Sequence, residues 1–397
     1  MLSDNDITLV KQTIPTLEAS GSDITQHFYQ RMFRDNPELK DIFNLSHQRT
    51  GNQAQALFDA ILAYAKNIDR LHLLEGAVSR IAHKHTSFAI KPAHYKIVGH
   101  HLIATFKELL QSAFTLELES AWINAYNQLA EIFIDKEEQL YSENETSAGG
   151  WRGKREFVIQ EKTRESDLVT SFVLCPKDKL PVKDFLPGQY IGVEIRANNS
   201  PYQEIRQYSL SDKPNETSYR ISVKRESTPE KGIVSNHLHD NVNEGDIIDI
   251  HAPAGDFTLK PTTKPVVLIS AGVGITPLQS MLEYLATTNY SYPVQVLHAC
   301  ESPEQHSFYQ RSKTLTDAHS WDYYIWYNQL TNFQSSDQPD AKLGLMDLTQ
   351  VSLPVQEGDF YVCGPVGFIN AIKQSLLALG VSVDRIHYEL FGPHQIM

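Results

Sequence analysis

Residues 266–287 read VVLISAGVGITPLQSMLEYLAT. An apolar, β-branched run, VVLIS, stops at a glycine turn, and a helical period follows directly. Gly272 and Gly274 let the backbone approach a pyrophosphate, whose charge meets the free amides of a helix start. Thr276 is placed to cap that helix and Pro277 to occupy its first turn. This is not the full GxGxxG fingerprint, and taken alone such a turn reads as an ordinary strand–turn–helix unit. A second turn, CGPVGF at 363–368, again ends an apolar strand. Two such turns in one sheet point to a nucleotide site, because ligands of open α/β sheets bind beyond the carboxyl ends of the strands. Around them VQVLHA, FYVCGP and a helix through IKQSLLALG continue the alternation, which predicts a parallel sheet.

Upstream, KPTTKP at 260–265 marks a boundary, and before it the period becomes two. REFVIQ, LVTSFVL, QYIGVEI, RQYSL, YRISVK and DIIDIHAP are short runs separated by turn residues, as in a small antiparallel barrel. ETSAGGWRG, around 145–153, is a second boundary, and everything before it is helical. In the stretch 117–141, Leu118, Ala121, Trp122, Ala125, Leu129, Ile132 and Phe133 mark one apolar face of a long helix. Pro15, Pro37 and Pro92 stand where proline opens helices, with Asn36 as a cap. The expected architecture is therefore multidomain: an all-α domain over 1–147, an antiparallel β-barrel over 151–260 and an α/β parallel-sheet domain over 261–397.

Composition agrees with this division. The chain of 397 residues is too long for one core. Hydrophobic residues at 41% and charged residues at 21% describe a folded protein rather than a disordered one. A net charge of -13 argues against nucleic acid, which rewards a basic face. Cys175, Cys300 and Cys363 are too few and too scattered for a disulfide framework or a cysteine-ligated metal site. MLSDNDITLV has acid where a signal peptide needs positive charge, and no apolar run approaches the ~18 residues of a membrane span. A cytoplasmic protein without obligate membrane association is expected.

Helical phase separates one histidine from the rest. In LLEGAVSRIAHKHTSF, Val78, Ile81, Ala82 and His85 fall at i, i+3, i+4 and i+7, which puts His85 on the apolar face and His83 about 140° from Val78. Most such histidines are satisfied core residues. As a ligand without a thiolate or carboxylate cluster, this one suits haem iron better than zinc. In the middle block, Arg206, Gln207, Tyr208 and Ser209 end a strand with groups suited to a phosphate and a ring system, although RQYS alone also reads as plain strand. The turn GIVSNHL, 232–238, offers a phosphate cradle, with Gly232 in the turn and Ser235 or Asn236 at the next helix start.

RQYSL, GIVSNHL, SAGVGITP and CGPVGF, in that order, resemble the ferredoxin–NADP reductase superfamily over about residues 155–397. The resemblance implies FAD bound by Tyr190, Arg206, Gln207, Tyr208 and Ser209, with Gly232, Val234 and Ser235 in its phosphate turn. It implies NADH or NADPH held by Gly272, Val273, Gly274, Ile275 and Thr276 and by Cys363, Gly364 and Pro365. Near the end, Phe391 resembles the terminal aromatic laid against the flavin, followed by Gly392 and Pro393. The first block resembles a globin of the bacterial type. Its implied residues are a distal Tyr29, a Phe43 against haem b, Gln53 and Leu57 on the next helix, and His85 as the iron ligand. Tyr95 and Glu137 match the pair that contacts the proximal histidine, and Lys84 and Glu389 match positions that tune the haem and flavin potentials.

The whole chain thus resembles the flavohaemoglobins, with Ile275 and Leu390 as small departures. The resemblance implies a monomeric nitric oxide dioxygenase acting on NO, O2 and NAD(P)H. A flavin between a hydride donor and a one-electron acceptor makes chemical sense. A haem-based O2 or NO sensor and a general reductase of ferric, quinone or peroxide acceptors are the alternative readings. Glu301, where a ribose could be contacted, and the lack of a nearby arginine favour NADH over NADPH.

Overall fold

The computed structural model describes residues 2–43, 52–197, 200–228, 231–329 and 341–391, apart from the side chains of residues 20, 22 and 52–55. The chain forms two compact units, one built on residues 1–146 and the other on 147–193 and 206–392.

The first unit is helical: α1 (Asp4–Gln12), α2 (Ile14–Asp35), α3 (Asn52–Asn67), α4 (Glu75–Thr86), α5 (Pro92–Leu110) and α6 (Leu116–Thr146). Ser3 opens α1 with a capping box, its Oγ accepting from the Asp6 amide while Asp6 accepts from the Ser3 amide. Pro15 and Pro92 stand in the first turns of α2 and α5, and Pro37 opens a short 3-10 turn. Asn36 makes no side-chain cap there. It is drawn instead to Glu38 and to the ring of His101. The apolar face of α6 is buried as its period requires, with Ala121, Trp122, Ala125 and Phe133 inside. Trp122 meets Phe106 of α5 edge to face at 4.9 Å, a contact worth about 0.5–1.5 kcal/mol beyond its buried area. Gly99 makes the α5–α6 approach possible, since a Cβ there would lie 2.3 Å from the Tyr126 ring.

The second unit opens with β1 (Lys154–Arg164), β2 (Val169–Pro176), β3 (Tyr190–Ile195), β4 (Glu204–Ser209), β5 (Tyr219–Lys224) and β6 (Ile247–Ala254). They form a sheet in the order β4-β3-β6-β1-β2-β5. Leu210, just past β4, bridges Ile221 of β5, so the two edge strands meet and the sheet closes on itself. α7 (Ile233–Asn241) lies between β5 and β6 in sequence.

The second sheet is parallel throughout, in the order β10-β9-β8-β7-β11-β12. Its strands are β7 (Val266–Ala271), β8 (Val294–Cys300), β9 (Asp322–Tyr327), β10 (Lys342–Leu343), β11 (Asp359–Cys363) and β12 (Ile386–Glu389). The helices are α8 (Ile275–Thr287), α9 (Tyr309–His319) and α10 (Val366–Ala378). The chain starts in the middle at β7, builds β8, β9 and β10 to one side, then crosses to β11 and β12 on the other. The topological switch point therefore lies between β7 and β11, where a doubly wound sheet opens its ligand crevice. Beneath it, Leu268, Met281, Val296 and Tyr361 pack in one core.

Candidate functional site

The most tightly built polar constellation of the helical unit surrounds His85. Val78, Ile81 and Ala82 of α4 join Phe133, Leu140 and Tyr95 in an apolar cluster, and His85 stands one turn further along that face. Its Nδ1 lies 2.7 Å from Oε1 of Glu137 and 2.9 Å from the Tyr95 hydroxyl. Tyr95 in turn donates to the same Glu137 oxygen through a short bond. A carboxylate only accepts, so the proton belongs on Nδ1 and the lone pair on Nε2. The constellation thus presents one imidazole nitrogen able to hold iron, backed by a negative charge. Among the described residues no thiolate or second imidazole shares this hydrogen-bond set, which fits haem rather than a zinc site.

Glu137 is 2% exposed, although its neighbours Lys136 and Glu138 suggest an outward charge. It falls four residues after buried Phe133 and three before buried Leu140, so helical phase turns it inward. Burial, then the Glu137 charge, pushes the Tyr95 pKa up, which keeps the hydroxyl a donor. Tyr126 and Tyr141 brace the same corner by donating to the carbonyls of Tyr95 and Ile90. Lys84 is half-buried on α4, its carbonyl accepting from Ser87.

Tyr29 of α2 is buried in an aromatic nest. It meets Phe28 and Phe43 edge to face and stacks on Phe33 at 5.7 Å. Burial pushes its pKa up, so it remains a proton donor at physiological pH. Leu57 of α3 is half-buried against the same core. Gln53 lies in the first turn of α3, and its side chain falls outside the described residues.

In the barrel, Arg206, Gln207 and Tyr208 are half-buried along β4 and Ser209 is buried. Burial raises the Tyr208 pKa while the charge of Arg206 opposes that rise, which places the two side chains near each other. The turn at Gly232 is a close cradle, since a Cβ there would sit 2.6 Å from the Ser235 hydroxyl. Here the structure shifts the expected boundary: α7 begins at Ile233 with Gly232 as its cap. Val234 and Ser235 therefore lie inside the first turn and are buried. Ser235 Oγ accepts from the Glu226 amide, and Asn236 donates to the carbonyls of Glu226 and Gly232. A glycine cap leaves the first amides of the helix to a ligand, the arrangement a phosphate needs.

At the switch point the two glycine turns touch. A Cβ on Gly274 would lie 2.3 Å from the Cys363 carbonyl oxygen and 2.7 Å from the Gly364 nitrogen. Only glycine allows this approach, which brings Gly272, Val273, Gly274, Cys363, Gly364 and Pro365 to one edge. The helix starts two residues earlier than the sequence suggests, at Ile275, after a 3-10 turn over Gly272–Gly274. Thr276 is consequently no cap; its hydroxyl donates back to the Val273 carbonyl. Cys363 is paired in register with Glu389 of β12. Burial first, and the charge of Glu389 second, raise the pKa values of both Tyr190 and Cys363. Phe391 is 46% exposed, an open ring face beyond β12. Gly392 and Pro393 lie outside the described residues. Glu301, past β8, accepts from Asn328 and Gln329, so its carboxylate is held at the strand ends.

Comparison with known proteins follows the same division. Residues 26–133 match the globin family, 156–259 the oxidoreductase FAD-binding domain and 268–374 the oxidoreductase NAD-binding domain. A flavohemoprotein of Vibrio cholerae serotype O1 is 53% identical over 396 residues, covering 99% of each chain. The crystal structure of a flavohemoglobin from Malassezia yamatoensis, with bound FAD and heme, superposes with a TM-score of 0.87. It is 26% identical and covers 98% of this chain and 100% of its own. The FAD/NAD-binding domain of a nitric oxide dioxygenase from Vibrio cholerae is 48% identical, with a TM-score of 0.57, over 60% of this chain and 99% of its own. Among the described residues no helix is long and apolar enough to cross a membrane. With globin, FAD-binding and NAD-binding parts in this order and this likeness along its length, the chain is an NAD(P)H oxidoreductase carrying haem and FAD, and it belongs to the flavohaemoglobin family.

Proposed function

We propose that this oxidoreductase is a nitric oxide dioxygenase: two NO and two O2, with one NAD(P)H, become two nitrate ions, NAD(P)+ and a proton. The observation that carries this reading is the Glu137 carboxylate 2.7 Å behind His85 Nδ1, with Tyr95 on the same oxygen. An oxygen-storage globin gains nothing from a buried anion there, whereas a haem that must activate oxygen gains electron density from an imidazole of anionic character. When bound, the haem supplies the iron at which O2 and NO meet, and FAD splits a hydride into single electrons.

The chain's own residues then divide the work. His85 binds iron through Nε2. Glu137 and Tyr95 hold its ring in one tautomer and orientation. Tyr29 donates a hydrogen bond on the opposite side, where Phe43, Leu57 and Gln53 close the pocket. Arg206, Gln207, Tyr208 and Ser209, with Tyr190 and the turn Gly232–Val234–Ser235, hold FAD, and Phe391 with Gly392 and Pro393 covers it. Gly272 to Thr276 and Cys363 to Pro365 hold the nucleotide pyrophosphate at helix starts, and Glu301 its ribose, which favours NADH. Lys84 and Glu389 set the haem and flavin potentials. The haem, flavin and nucleotide parts span 1–147, 151–260 and 261–397, and the protein acts as a cytoplasmic monomer.

The test is NO decay at an electrode with purified holoprotein, NADH and air, for the wild type and His85→Ala. Fast catalytic decay that requires O2 and disappears in His85→Ala, while cytochrome c reduction survives, is expected. Decay of one NO per haem and no more would overturn the reading in favour of a binding protein. Equal NO turnover by both proteins would overturn it in favour of a general reductase.

A further inference from the structure

At the carboxyl end of β8, directly before Glu301, three donors that no cofactor reading above uses converge. His298 and Cys300 point from the strand, and His306 follows the short 3-10 turn Pro303–Gln305. One ligand atom of each lies within 4.8 Å of the other two. The rings of His298 and His306 are 4.4 Å apart, and both residues are buried. His298 is 0% exposed; its Nδ1 is paired with the Ser270 hydroxyl at 2.8 Å, and its Nε2 has no hydrogen-bond partner. An orphaned ring nitrogen at that depth costs about 1–3 kcal/mol, a cost that a bound ion would offset. Tyr327 and Tyr323 hold the two nitrogens of His306, each at 2.7 Å. Cys300 Sγ has only a long contact to the Ser302 carbonyl at 3.4 Å.

We propose that His298, Cys300 and His306 form a zinc-binding site, built from residues assigned to neither the haem nor the nucleotide and lying beside Glu301. Two imidazoles and a thiolate are the donors that zinc prefers, and among the described residues the carboxylates of Glu301 and Glu304 lie near Cys300 without joining the cluster. Tetrahedral zinc with these ligands sets its donor atoms roughly 3.3–3.8 Å apart, so closure needs side-chain shifts of about an ångström. The fully buried His298 ring, held through Nδ1 by Ser270, leaves Nε2 as the atom to face the metal. The Cys300 thiol gives its proton to solvent as the zinc–sulfur bond forms. His306 exchanges one tyrosine bond for the metal, and water completes the fourth position. The scatter of the three cysteines argues against any cysteine-ligated metal site, and a zinc on Cys300 departs from that expectation. The fold instead supplies two histidines to one of them, and the bound ion would tie the end of β8 to the turn that follows it.

The experiment uses the full chain with haem and FAD in place. Zinc is added at one equivalent, loosely held metal is removed by dialysis, and zinc is counted against haem iron by mass spectrometry. Zinc-edge X-ray absorption then reads the ligands, a signal to which haem does not contribute. Expected for the wild type are about one zinc per chain, a single sulfur at ~2.3 Å and nitrogens at ~2.0 Å. Cys300→Ser, a small change at a half-buried position, should lose the sulfur shell and bind zinc at least tenfold more weakly. Failure of the wild type to retain zinc, zinc held without sulfur, or equal retention by Cys300→Ser would each overturn the proposal.

Discussion

Replacing Glu137 with Gln removes the charge behind His85 while keeping the size and an acceptor oxygen. In the native arrangement that carboxylate accepts from His85 Nδ1 and from Tyr95. A hydrogen bond to a charged group contributes about 1 kcal/mol more than one between neutral groups. Two such bonds converge here, so the change removes roughly 2 kcal/mol of polarisation, equivalent to about a thirtyfold loss of rate. That value sits inside the roughly 10–100-fold range typical for partners of metal-bound histidines. Glu137→Gln should therefore consume NO about thirtyfold more slowly, with a melting temperature close to that of the wild type. Glu137→Leu should also be less stable by about 1–3 kcal/mol, because two half-buried donors lose their acceptor. The assay pairs the NO electrode with stopped-flow reduction of the flavin by NADH, which neither change should alter. Unaltered NO consumption by Glu137→Gln would refute the argument, as would a flavin reduction that slows in step with it.

Other perturbations separate the remaining parts. Tyr29→Phe keeps the ring in its aromatic nest and removes only the donor, so haem content should hold while O2 dissociates about tenfold faster and NO turnover slows. Flash photolysis reads the first, and an unchanged O2 off-rate would remove Tyr29 from the distal side. Gly274→Ala forces a Cβ to 2.3 Å from the Cys363 carbonyl and must part the two turns. FAD should stay bound while flavin reduction by NADH falls at least about tenfold. An unaltered KM and rate would show that the nucleotide does not use this approach. Arg311 pairs with Glu283 through two bonds at 2.7 and 2.5 Å, and that carboxylate is 1% exposed. Arg311→Leu should cost about 3 kcal/mol in urea unfolding by stranding a buried charge, and a loss below about 1 kcal/mol would contradict that account.

Sequence alone determined the three blocks and most of their elements in order, although it did not single out β9, β10, β12 or α9. The six short runs of the barrel, the alternation around SAGVG and the long apolar face of α6 are set by periods of two and 3.6, which are local properties of the chain. His85 was legible for the same reason, since one helix face carries its whole argument. Helix starts were less so: at Ser235 and Thr276 a capping side chain was expected, and glycines at the cap with a 3-10 turn moved the first turn forward. Glu137 stood between legible and hidden. Its charged neighbours point outward, while its phase after Phe133 points inward, and burial follows phase because a helix has no freedom to turn one residue independently. What only the tertiary structure decided are the meetings between distant segments. The Tyr95 hydroxyl donates to Glu137 Oε1 across 42 residues, Gly274 presses on Cys363 across adjacent strands, and His298, Cys300 and His306 converge past the end of β8. Periodicity assigns a residue to a face, but distances of 2.3–4.8 Å depend on which faces pack together, and that is set by the whole core at once.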